Sequence, residues 1–137
     1  MKMTYLILLM LISAALLWSK GAADSPKAQK NEQETKKGGL INAQKAKELM
    51  EKDSSVILID VRTKEEYEDG RIPGALLLPY DTITEQTAGH IIPSKNSPII
   101  VYCRSGRRSA IAAQTLRSLG YTTVYDLGGI SSWPFGL

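Results

Sequence analysis

Among 137 residues there is a single cysteine, Cys103, and a single histidine, His90. One thiol cannot close an intramolecular disulfide, so the fold must rest on an ordinary core, and that thiol stays free for chemistry. A lone histidine without a nearby partner builds no metal cluster; His90 reads as a surface or helix-end residue, and no metal or other cofactor is expected. No segment repeats at a period that would build a solenoid, and the length suits one domain. Charge of one sign is also scarce. The formal charge is +3, but residues 24–137 hold 15 basic against 14 acidic side chains, a net of +1. With no basic stripe interleaved with aromatics, nucleic acid is not an expected partner.

The one long apolar run lies at the start. Lys2 precedes an uncharged, mostly apolar stretch of 14 residues from Tyr5 to Trp18, and Gly21-Ala22-Ala23 supplies the small residues a signal peptidase requires. The run is shorter than the ~20 residues that span a bilayer comfortably. Residues 1–23 therefore read as an export signal, cleaved after Ala23 or after Ala22, with a retained membrane anchor as the alternative. The expected location is periplasmic or secreted, without stable membrane insertion once the signal is removed. No cysteine stands near the cleavage site, which excludes lipid attachment there. Residues 24–38 offer no large apolar side chain and read as a solvated tether.

From residue 39 to 137 the patterns alternate. Asn42 can cap a helix over 43–52, and Val56-Ile57-Leu58-Ile59 is the short continuous run of a strand buried on both faces. Thr63 and Glu66 have capping-box spacing for a short helix ending near Gly70. Ala75 to Leu78 reads as a strand, residues 83–91 as a weaker helix, and Pro98 to Tyr102 as a third strand. A helix over 107–119 follows, with Ala110, Ile111, Ala113, Leu116 and Leu119 on one stripe and Gly120 to end it. Thr122 to Tyr125 is a fourth strand. Strands alternating with helices call for an α/β fold, a mainly parallel central sheet flanked by helices on both faces. Ligands in such folds bind at the carboxyl ends of strands, where Cys103 falls.

The segment Cys103-Arg104-Ser105-Gly106-Arg107-Arg108-Ser109 joins a strand to a helix. Unpaired N–H groups of a first helical turn and its dipole favour an anion, and three arginines add positive charge. Such surroundings lower a cysteine pKa from about 8.5 to roughly 3.5–7.5 and make the thiolate a strong nucleophile. The backbone of residues 104–108 can cradle an anion, with Gly106 letting the loop curl, while Arg104, Arg107 and Arg108 hold a charged donor. The candidate site is thus Cys103 as nucleophile, with Arg104, Ser105, Gly106, Arg107 and Arg108 binding substrate.

Five motifs succeed one another: Leu58-Ile59-Asp60-Val61-Arg62, Glu66-Tyr67, Gly70-Arg71-Ile72-Pro73-Gly74-Ala75, the Cys103 segment after Tyr102, and Leu127-Gly128-Gly129-Ile130 with Trp133. In that order they resemble a single-domain rhodanese, over nearly all of residues 39–137; Arg71 departs from a histidine common in relatives. The resemblance implies a rhodanese-like fold and thiosulfate sulfurtransferase activity, with Cys103 cycling through a persulfide. It also implies a small-molecule sulfur donor and a thiophilic acceptor as partners. A monomer is the simplest expectation.

Plainer roles compete for the remaining motif residues. Asp60 and Arg62 read equally well as a structural ion pair supporting the loop, Pro73-Gly74 as a turn, Gly128-Gly129 as a close backbone approach, and Trp133 as packing. Cysteine phosphatases use a Cys-x5-Arg loop, but here the five residues after Cys103 lead to Ser109, so that arginine is missing. The other rival is a sulfur-carrier or anion-binding module serving a protein partner.

Overall fold

The computed structural model describes residues 38–137. The export-signal reading of 1–23 and the tether reading of 24–37 lie outside the described residues.

Five strands alternate with four α-helices: β1 (Gly38–Leu40), α1 (Ala43–Lys52), β2 (Ile57–Asp60), α2 (Lys64–Asp69), β3 (Leu76–Leu77), α3 (Glu85–Ile91), β4 (Ile99–Cys103), α4 (Arg107–Ser118) and β5 (Val124–Gly129). Short 3₁₀ turns at Tyr80–Thr82 and Ile130–Ser132 complete the chain. All pairings are parallel, in the order β1-β5-β4-β2-β3. The helix starts follow their local chemistry. The Asn42 side chain accepts from the Lys45 amide at 2.8 Å, and Thr63 and Glu66 close a full capping box on α2.

Alternation along the buried strands divides the core between two faces. Ile59, Ile99, Val101, Cys103 and Val124 pack on one side with Ala88 of α3 and Ala112, Ala113 and Leu116 of α4. Leu58, Ile100, Tyr102 and Tyr125 pack on the other with Ala46 of α1 and, partly buried, Tyr67 of α2. Each fully buried aliphatic side chain contributes about 1.5–3 kcal/mol. The expected α/β architecture with helices on both faces is the observed one.

Several boundaries differ from the sequence reading. Strand β1 begins at Gly38, inside the stretch read as tether, and was not anticipated as a strand. It offers no buried apolar side chain, Leu40 being 84% exposed, and is held by backbone pairing with β5. Strand β4 reaches Cys103 itself, and β5, read as ending at Tyr125, runs on through Gly128 and Gly129. The helix read over 83–91 spans 85–91. On α4 the buried residues are Ser109, Ala112, Ala113 and Leu116, whereas Ala110 and Ile111 face outward. That stripe obeys the i, i+3, i+4, i+7 rule, but a polar residue opens it, so apolar identity alone rotated the face.

Candidate active site

The site is assembled where β4 and β5 end together. Their register slips between Val101 and Tyr102: Val101 pairs with Asp126, whereas Tyr102 pairs with Gly128 and Cys103 with Gly129. This irregularity brings Gly129 against the loop. A Cβ on Gly129 would stand 2.5 Å from the Arg104 carbonyl oxygen, so only glycine fits. Gly106 then turns the chain with φ +109° and serves as N-cap of α4. Positive φ favours glycine there as well.

Cys103 is buried at the centre of this turn. The Gly106 amide donates to its Sγ at 3.0 Å. Burial, the largest single influence, disfavours the thiolate, but the Ser109 hydroxyl and the amides of Ser109, Gly106 and Ser105 together outweigh it. The net pKa lies below the ordinary value for a cysteine. The single hydroxyl proton of Ser109 can serve the Gly106 carbonyl, 3.0 Å from the oxygen, or turn to the sulfur. Ser109 thus borders the thiol and favours its ionisation, although the sequence reading placed it outside the candidate site. Its signal was position: the third residue of a helix, in the turn over the thiol.

The arginines divide. Arg104, Ser105 and Arg107 are exposed, and neither Arg104 nor Arg107 forms an ion pair among the described residues. Arg108 is engaged: its Nη1 and Nη2 donate to Glu66 Oε2 and Oε1 at 2.7 and 2.9 Å. That fork holds the Glu66 carboxyl down to about 2. Glu66 reads from the sequence as a capping residue and as part of the Glu66-Tyr67 motif, and spacing gives no hint of a partner 42 residues away.

Beneath the loop, Asp60 and Arg62 form the structural network that was the plainer reading. Arg62 Nη2 reaches Asp60 Oδ2 at 2.7 Å and the Gly70 carbonyl at 2.6 Å. The Tyr102 hydroxyl donates to Asp60 Oδ2 at 2.8 Å and accepts the Ile72 amide at 3.1 Å. No buried side-chain nitrogen or oxygen among the described residues lacks a partner, as a low-dielectric network requires. Pro73-Gly74 makes a turn closed by the Ala75 amide on the Ile72 carbonyl at 3.1 Å. Trp133 packs half-buried on the α1 side, edge-on to Phe135, and His90 is exposed. A cleft of about 380 Å³ beside the loop is lined by Arg62, Glu66, Asp69, Gly70, Arg104 and Ile130, together with Leu137. Among the described residues there is no cluster of acidic, histidine or cysteine side chains that could hold a metal, and no helix is long and apolar enough to cross a membrane.

A buried thiol at a strand end, hydrogen-bonded by the Gly106 amide and with its pKa lowered, has the makings of a nucleophile. Thiosulfate sulfurtransferase PspE of Escherichia coli is 39% identical over 72 residues, 53% of this chain and 68% of that protein. A sulfurtransferase of Allochromatium vinosum is 37% identical over 94 residues, covering 68% of this chain and 85% of the relative. The putative sulfur carrier protein YrkF of Bacillus subtilis is 34% identical over 94 residues, covering 68% of this chain and 49% of that protein. The chain spans only 21% of another relative, the adenylyltransferase and sulfurtransferase UBA4 of Meyerozyma guilliermondii. Among solved structures, a rhodanese with anions from E. coli superposes with TM-score 0.53 at 35% identity, over 58% of this chain and 92% of that one. The human single-domain sulfurtransferase TSTD1 does so with TM-score 0.56 at 27% identity, over 66% and 88%. The family model for the rhodanese-like domain matches residues 42–134, and the chain therefore belongs to the rhodanese-like sulfurtransferase family.

Proposed function

We propose that this protein takes sulfane sulfur from thiosulfate or a similar anionic donor and passes it to a thiophilic acceptor through a persulfide on Cys103. The Cys103 thiolate attacks the outer sulfur of thiosulfate, the donor's S–S bond breaks, and the electron pair leaves with sulfite. An acceptor nucleophile then takes the outer sulfur, and the Cys103 thiolate is released. Cyanide, for example, becomes thiocyanate. Charge and atoms balance at both steps without a redox partner.

The observation that carries this reading is the amide cradle: the Gly106 N–H points at Sγ from 3.0 Å, with Ser105 and Ser109 assisting. The same donors can hold a persulfide anion or the terminal sulfur of a donor. The exposed guanidinium groups of Arg104 and Arg107 suit the anionic end of the donor. The names of the sulfurtransferase relatives and the anions of the E. coli rhodanese support the assignment.

A sulfur-carrier role is the second reading, favoured by the likeness to YrkF. Initial rates over a grid of thiosulfate and cyanide concentrations separate the two. Parallel double-reciprocal lines are expected of an enzyme that turns over through a persulfide. A persulfide that forms but does not discharge to small acceptors would indicate the carrier instead. We further propose export of the mature chain to a periplasmic or secreted location, on the strength of residues 1–23.

A further inference from the structure

Arg108 stands in the first turn of α4, and its charge and that of the Cys103 thiolate favour each other. Yet both ends of its guanidinium are turned to Glu66, at 2.7 and 2.9 Å. Glu66 is in turn fixed by its own helix: its Oε2 accepts the Thr63 amide at 3.0 Å, and its amide donates to the Thr63 hydroxyl at 3.2 Å. The Arg108 and Glu66 side chains are 19% and 26% exposed, so water screens them far less than it screens Arg104 or Arg107.

We propose that Glu66 is a specificity-determining residue for sulfur transfer, cancelling the charge of Arg108 beside Cys103 and so limiting how tightly the loop holds anions. The idea rests on the sulfurtransferase reading. Donor and leaving group are there alike, because thiosulfate and sulfite present similar anionic oxygens. A strong unpaired cation near the thiol would tighten both, and tighter ground-state binding brings no faster chemistry. The second half-reaction also needs a nucleophilic, often anionic, acceptor to approach and the thiolate to leave. Surrounding charges leave this task to Glu66. Arg62 is already satisfied by Asp60 and the Gly70 carbonyl, Tyr80 adds only a weak influence on Arg108, and Asp69 lies with Arg104 along the cleft. With its carboxyl held down to about 2, Glu66 is charged throughout the neutral range.

Glu66→Gln tests this in the full chain, since glutamine can keep the capping box while losing the charge. Two readouts need no turnover: the pH midpoint for alkylation of Cys103 by iodoacetamide, and the protection against alkylation given by sulfate, an inert dianion. The thiosulfate KM is the third. In Glu66→Gln the midpoint should fall by about half a pH unit, and sulfate Kd and thiosulfate KM should each fall about threefold to tenfold. Arg108→Gln alone leaves the carboxylate uncompensated and should move all three the opposite way. Combining the two substitutions should return them to within about twofold of the wild type. A raised midpoint or weaker sulfate binding in Glu66→Gln, or a double variant that fails to revert, would show that the pair only anchors α4. A wild-type protein that forms no persulfide would defeat the sulfurtransferase reading, while the alkylation and sulfate measurements would still judge Glu66.

Discussion

At Cys103 the balance between burial and hydrogen bonding decides the chemistry. A thiol enclosed in the core would ordinarily be inert, and burial does push against ionisation; the Ser109 hydroxyl and three backbone amides, of Ser105, Gly106 and Ser109, reverse the result. Cys103→Ser keeps the shape but replaces the thiolate with an alcohol that stays protonated and cannot carry sulfane sulfur. Sulfur transfer should fall to the uncatalysed background, with the thermal midpoint within a few degrees of the wild type, as activity assays and calorimetry would register. Residual turnover in the serine variant would mean another group performs the reaction. The residue scale is also where the sequence reading was least complete. Arginine count suggested three equivalent anion ligands, but Arg108 is spoken for by Glu66, and a contact 42 residues apart leaves no trace in local spacing.

At the scale of elements, the loop depends on two strands ending in a shifted register. The slip at Val101/Tyr102 sets Gly129 beneath the Arg104 carbonyl, close enough that a methyl group would collide at 2.5 Å. Gly129→Ala must therefore move the backbone of Arg104 and Ser105, and with it the amides aimed at Sγ. We expect kcat/KM for thiosulfate to drop at least about tenfold, because a charge-assisted hydrogen bond is worth roughly 1.5–3 kcal/mol. Alkylation of Cys103 at neutral pH should slow in parallel, reflecting a thiol less readily ionised. Gly128→Ala is an informative companion: its Cβ meets nothing within 4 Å, so any loss there reports its φ of +82° rather than a collision.

Across the whole molecule, the alternating order of strands and helices was readable because continuous apolar runs such as Ile57–Ile59 and capping pairs such as Thr63 and Glu66 act locally. Strand β1 was not, since it is held by backbone pairing alone, and the true face of α4 was obscured by the buried hydroxyl of Ser109. The close backbone approach read at Gly128-Gly129 is made by Gly129, while the extension of β5 through both glycines was hidden because neither offers a side chain that marks a strand. The segment before β1 carries a separate prediction. Protein recovered from the native host should begin at Asp24 or Ala23 and be found outside the cytoplasm, as N-terminal sequencing after fractionation would read. Soluble cytoplasmic protein retaining Met1 would contradict export.

The central claim is a covalent sulfur carried on one thiol, and intact mass tests it most directly. Full-length protein incubated with thiosulfate should gain the mass of one sulfur atom, located at Cys103 by fragmentation, absent in Cys103→Ser and removed by cyanide. A Cys103 that remains fully alkylatable yet never gains sulfur from thiosulfate would contradict the account.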